Sequence, residues 1–166
     1  MGRILYGAFL PRAKFRAFER VAIVCEGSGK VVVLCKNVSS LLRHASLLNE
    51  LGYYSVSLCC SVAELIDLLE AGKKFRYLIF DGFDFVVDAR HLEVISWSAA
   101  VGSIVAISDV NSMQRERVFR WARQYEIPLL GVLQAPLRFP ELQLLMGYDD
   151  LISSALVSSN FCASEI

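Results

Sequence analysis

The chain has 166 residues, 55% of them hydrophobic and 20% charged, with 17 basic and 17 acidic side chains and no formal net charge. That length suits one domain with a modest extension and is enough to bury a core. Charge neutrality argues against broad electrostatic capture of nucleic acid. No stretch approaches the roughly 18 uninterrupted apolar residues of a membrane span, so a cytoplasmic protein is expected.

The first residues, "MGRILYGAFLPRAKF", are broken by Pro11 and Arg12 too early for a signal peptide. Tyr6 stands where a myristoylation signal needs Ser or Thr. Residues 1–29 fall outside the pattern of the rest. They fit either an amphipathic helix with Phe15, Phe18 and Ala22 on one side, or two strands joined by a glycine-rich turn. "EGSGK", Glu26 to Lys30, lacks the spacing and the following helix of a phosphate loop and reads as a turn. The five cysteines, Cys25, Cys35, Cys59, Cys60 and Cys162, form no C-x-x-C pair. His44 and His91 are distant in sequence, so buried free thiols are expected rather than zinc ligands.

From Lys30 the chain alternates. "KVVVLC" is a short β-branched run, the pattern of a strand buried on both faces. "SSLLRHASLLNELG" places Leu41, Leu42, Ala45, Leu48 and Leu51 at helical spacing, with Ser39 or Ser40 as cap and Gly52 at the stop. "YSVSLC" is a second strand, and "SVAELIDLLEAG" is a helix opened by a Ser61…Glu64 capping box. "RYLIFD" is the third strand, and "ARHLEVISWSAAVG" a helix with Leu92, Ile95 and Ala99 inward. "SIVAIS" is the fourth strand. "NSMQRERVFRWARQYEI" is a helix with Val118, Ala122 and Tyr125 on one face and arginines mostly on the other. "PLLGVL" is the fifth strand, and "FPELQLLMGYDDLISSAL" the last helix.

Five strands alternating with five helices imply an α/β fold, a five-stranded parallel sheet of order 2-1-3-4-5 covered by helices on both faces. In such sheets the functional crevice lies at the carboxyl ends of the strands. The residues there are Lys36 and Asn37 after strand 1, Asp81 after strand 3, Ser108 and Asp109 after strand 4, and Gln134, Ala135 and Pro136 after strand 5. A bare carboxylate at the tip of the apolar run "YLIFD" is costly unless something uses or neutralises it.

The strand ends "VVVLCKN", "LIFD", "IVAIS" and "LLGVLQAP" resemble those of a receiver domain, the phosphoacceptor module of bacterial two-component response regulators. The likeness covers roughly residues 30–146. "RQYEIPLLGVLQAPLRFPEL" looks in particular like the close of receivers in regulators with an EAL cyclic-di-GMP phosphodiesterase domain. The resemblance implies a flavodoxin-like fold and a strand-3 Asp that takes a phosphoryl group. It also implies two acids after strand 1 that help this Asp hold Mg²⁺, and a hydroxyl and a lysine that bind the phosphoryl group.

Carried over residue by residue, that pattern is broken. Asp81 stands at the phosphoacceptor position and Ser108 at the hydroxyl position, and Pro136 is kept. Lys36 and Asn37 replace the acid pair, Ala135 replaces the lysine, and Val132 replaces the switching aromatic. "GFDFVVD", with Asp84 and Asp88, follows Asp81 in place of the usual Met-Pro segment. Mg²⁺ binding is expected to be lost or weak, because Mg²⁺ wants oxygen ligands. A Lys36–Asp81 pair is expected in place of the metal; at about 4 Å it is worth roughly 4 kcal/mol at an effective dielectric near 20, before desolvation.

The expected function is therefore a degenerate, phosphorylation-independent receiver that works by protein contact, is not an enzyme and has no cofactor. Two alternatives stand beside it: a receiver still phosphorylated on Asp81, and a binder of a small anion using Lys36. In receiver domains the helix 4–strand 5–helix 5 face is a common partner surface, so the resemblance implies a protein partner or a homodimer there, and Phe119, Trp121, Arg120 and Arg123 have the composition of an interface anchor. His44 and His91 read as surface histidines. The expected layout is an extension over 1–29, a receiver-like domain over 30–157 and a tail over 158–166.

Overall fold

The computed structural model describes residues 29–161, with side chains through residue 152. The expectations for residues 1–28, including Cys25 and most of "EGSGK", and for Cys162 lie outside the described residues. Among the described residues ten elements alternate: β1 (Val31–Cys35), α1 (Val38–Glu50), β2 (Val56–Cys59), α2 (Val62–Glu70), β3 (Phe75–Asp81), α3 (Phe85–Trp97), β4 (Val101–Ile107), α4 (Ser112–Gln124), β5 (Leu129–Leu133) and α5 (Phe139–Phe161). The strands form one parallel sheet of order β2-β1-β3-β4-β5, as the alternation predicts. No helix among the described residues is long and apolar enough to cross a membrane.

Strand alternation divides the core in two. Val32, Leu34, Leu78, Phe80, Ile104 and Ala106 pack with Leu65, Leu92, Ile95, Val118, Trp121 and Ala122, so α2, α3 and α4 cover one face. Val31, Val33, Cys35, Tyr77, Ile79, Val105 and Ile107 pack with Leu41, Leu48, Leu142 and Met146, so α1 and α5 cover the other. This parity decides the site. Cys35 and Asp81 are register partners at the ends of β1 and β3, and both continue the rows that face α1.

Three local expectations change. Asn37, not Ser39 or Ser40, caps α1, its side chain accepting from the Ser39 amide at 3.0 Å. The inward stripe of α1 is Leu41, His44 and Leu48, while Leu42 points to solvent. On α4, Trp121 lies inward with Val118 and Ala122, and Tyr125 is exposed. The Ser61 cap holds: its hydroxyl accepts from the Glu64 amide, and the Glu64 carboxylate accepts from the Cys60 amide. At the opposite end of the sheet from Asp81, the Tyr53 and Tyr77 hydroxyls donate to Asp149 and Asp150, and Arg76 pairs with Asp150, tying α5 to the sheet. That helix runs to Phe161, past the boundary expected at 157.

Candidate functional site: the crevice at Asp81

β3 ends at Asp81, and Gly82 turns the chain with φ +72°, a conformation that side chains rarely adopt. The amide of Phe83 then donates to the Ile107 carbonyl. The hydroxyl of Ser108 donates to the Phe83 carbonyl at 2.6 Å in a buried position. Ser108 is thus at the expected place but serves to pin the loop that follows Asp81. "GFDFVVD" has its own logic: Phe83 is buried, Asp84 caps α3 by accepting from the Val86 and Val87 amides, and Asp88 accepts from the Asp84 amide at 2.9 Å.

The partner of Asp81 is not Lys36. The Lys36 ammonium is 63% exposed and stands 3.8 Å from Asp88, which is buried and also faces His91 at 3.5 Å. Lys36 leaves the strand next to Cys35, so it emerges on the face opposite to Asp81. The histidine takes the place instead. His44, three residues beyond Leu41 on the buried stripe of α1, sets its Nε2 at 2.7 Å from the Asp81 Oδ2. The Cys35 thiol stands 3.2 Å from the same oxygen and 3.3 Å from the Asn37 carbonyl. His44 is 4% exposed and Cys35 2%, so the expectation of a surface histidine is overturned by the helical phase of α1.

The electrostatics follow. The hydrogen bond from His44 is the largest influence on Asp81 and holds its carboxyl below the ordinary value, against the opposing effect of burial; Cys35 and the Gly82 amide act in the same direction as His44. Burial pushes the Cys35 thiol upward, and the neighbouring Asp81 adds to that. Because the carboxylate already has a charged-group hydrogen bond inside the protein, Lys36 contributes little. Lys36→Ala removes a 3.8 Å contact in which the lysine is exposed and Asp88 is buried, and is expected to lower the unfolding free energy by about 1 kcal/mol, as measured by urea denaturation.

The residues present do not fit Mg²⁺. The Asn37 carboxamide oxygen is engaged in capping α1, and an ammonium follows β1 where a second acid would be needed. The atoms gathered around Asp81 are a thiol and an imidazole, poor ligands for a hard cation that favours oxygen. After β5, Gln134 donates to Asp109, and the Ala135–Pro136 peptide bond is cis. Ala135 brings no charge toward Asp81.

The anchor expected on α4 is also rearranged. Trp121 is 9% exposed, donates from its indole N–H to Glu93 at 3.1 Å, and meets Phe85 edge-on. Phe119 is half-buried against the same cluster. Arg120 pairs with Glu116, and Arg123 donates to the Phe119 carbonyl. One surface that exposes apolar groups lies between α4, β5 and α5. A groove of about 570 Å³ there is lined by Arg115, Val132, Gln134, Leu144 and Tyr148. Leu144, Tyr148 and Leu151 stand exposed along one side of α5.

No protein-family profile and no curated protein matches the sequence. Solved structures do match the fold. A signal receiver domain from Vibrio parahaemolyticus superposes with a TM-score of 0.61 at 11% identity, covering 79% of this chain and 96% of that one. The signal receiver domain of an HD domain-containing protein from Pseudomonas fluorescens gives 0.59 at 15% identity, covering 76% and 97%. A pilus assembly-related protein from Burkholderia pseudomallei gives 0.57 at 20% identity, covering 72% and 87%. The chain therefore has the flavodoxin-like receiver fold.

Proposed function

We propose that this chain is a receiver-fold signalling module that works through protein contact and does not accept a phosphoryl group on Asp81. The observation that carries this reading is the single oxygen, Asp81 Oδ2, that meets both His44 Nε2 and Cys35 Sγ. Phosphoryl transfer to a carboxylate requires cations to screen two anions that repel each other. In this crevice the hard-cation ligands are replaced, the lysine position is Ala135, and the hydroxyl of Ser108 is already bound to Phe83.

Contact is assigned to the α4–β5–α5 face. Its groove and the exposed Leu144, Tyr148 and Leu151 support this, since apolar and aromatic groups beside an arginine are the composition of interface cores. A second copy of the chain is one occupant in this reading, and a protein of a two-component or cyclic-di-GMP pathway is the other. The test is incubation with a small acyl phosphate and Mg²⁺ followed by intact mass. The expected result is no phosphoryl adduct in the wild type. An adduct that disappears in Asp81→Asn would restore the phosphoacceptor reading.

A further inference from the structure

The crevice gathers three different donor types. Cys35 Sγ, His44 Nε2 and an Asp81 carboxylate oxygen all lie within 4.8 Å of one another, each from a separate element. We propose that Cys35, His44 and Asp81 form a binding site for a zinc-class divalent cation. This goes beyond the protein-contact reading and does not depend on it.

The chemistry selects the cation. Thiolate, imidazole and one carboxylate are the ligand types of zinc, and three protein ligands with one open position is a common zinc arrangement. In a tetrahedral zinc site, with Zn–S about 2.3 Å and Zn–N and Zn–O about 2.0 Å, ligand atoms stand about 3.3 to 3.6 Å apart. Here the oxygen lies 2.7 Å from the imidazole nitrogen and 3.2 Å from the sulfur. The oxygen has to move about half an ångström from the nitrogen and a few tenths from the sulfur, and the sulfur and nitrogen, which lie within 4.8 Å of each other, have to stand about 3.5 Å apart around the ion, so the Cys35 and His44 side chains adjust together with the Asp81 carboxylate. The site has rigid walls: Cys35 and Asp81 are register partners in the sheet, and His44 is set by the packed stripe of Leu41 and Leu48. It also has an entrance, because the Asp81 side chain keeps 18% exposure while the two other ligands are buried. That open side is where the fourth ligand, a water or a group of a partner, would stand.

Binding balances as proton release. The Cys35 thiol loses its proton to solvent as the S–Zn bond forms. The neutral ring of His44 presents its Nε2 lone pair by carrying its hydrogen on Nδ1, an atom that meets no hydrogen-bond partner among the described residues, so the ring changes tautomer and releases no proton of its own. One dication thus takes the place of the protons that join the three side chains, and Mg²⁺ gains nothing comparable from sulfur and nitrogen.

The test uses Co²⁺ as a spectroscopic stand-in and Zn²⁺ as competitor. The full chain is prepared with Cys25, Cys60 and Cys162 changed to serine and Cys59 to alanine, leaving Cys35 as the single thiol. One equivalent of Co²⁺ is expected to give a thiolate charge-transfer band and the intense visible bands of a four-coordinate ion, both erased by Zn²⁺. Cys35→Ser in that background should abolish the charge-transfer band. His44→Ala should weaken Zn²⁺ at least about tenfold, and His44→Gln provides the same readout if the alanine variant is poorly folded. Absence of the bands in the single-thiol chain overturns the proposal. So does a charge-transfer band found only when the other four cysteines are present, which would mark adventitious binding.

Discussion

Replacing His44 with alanine is expected to lower the free energy of unfolding by about 3 kcal/mol. Two effects add. A buried ring is removed from the stripe between Leu41 and Leu48, leaving a cavity. A charge-assisted hydrogen bond of 2.7 Å is lost, and a largely buried carboxylate is left with only a thiol and the Gly82 amide. A double-mutant cycle separates them. In an Asp81→Asn background, His44→Ala is expected to cost about 1 to 2 kcal/mol less, because the charge it would strand is gone. Equal costs in the two backgrounds would show that His44 only fills space.

The same pair has a pH signature. The folded carboxyl of Asp81 titrates below its ordinary value of 3.8, so its contribution to stability is fully present above that value. It is lost as pH falls through the lower, folded value. His44→Ala should therefore flatten the acid limb of the stability profile as well as lower its plateau. Urea denaturation across the acid range reads both.

Trp121→Ala is expected to cost about 3 kcal/mol as well, and to do so in a monomer. The indole lies against Phe85 with ring centroids 5.3 Å apart and donates to Glu93, so truncation opens a cavity between α3 and α4 and leaves a carboxylate unpartnered. Trp121→Phe should recover about half of the loss. Arg120→Ala, by contrast, removes an exposed pair with Glu116 and should stay within about 0.5 kcal/mol. A Trp121→Ala variant of unchanged stability that failed to associate with a partner would return the indole to the surface role its neighbours suggest in sequence.

Much of the fold is legible in the chain because each strand and helix announces itself by period. "VVVLC" and "LIF" are two-sided strands, and Ser61…Glu64 marks a helix start by chemistry that needs no tertiary partner. The phase of a helix is harder to read. On α1 the inward stripe is Leu41, His44 and Leu48, continued by Leu51 just past the helix end, while Leu42 falls outside it. Leu41 and Leu48 lie on the true stripe, and a histidine between them at i+3 was the available signal. On α4 the aromatic at Trp121 belonged with Val118 and Ala122 at the same spacing, three and one residues away, while its arginine neighbours suggested a surface.

The site was legible in its positions and illegible in its contacts. Asp81, Ser108 and Ala135 fall at the strand ends where the pattern places them. What Asp81 touches depended on side-chain parity. Cys35, not Lys36, shares the face of Asp81, because adjacent residues on a strand point to opposite sides. Reading strand 1 two residues at a time, from Val31 through Val33 to Cys35, would have put the thiol in the crevice and the ammonium outside it.

The central claim is that the Asp81 carboxylate is held by an imidazole and a thiol, in a crevice without the hard oxygen ligands of a Mg²⁺ site. A Mg²⁺ titration followed through the backbone amide resonances of Asn37, Asp81 and Gly82 tests it most directly. The account predicts that these resonances show no saturable shift through tens of millimolar Mg²⁺. Saturation at low millimolar concentration, lost in Asp81→Asn, would contradict it.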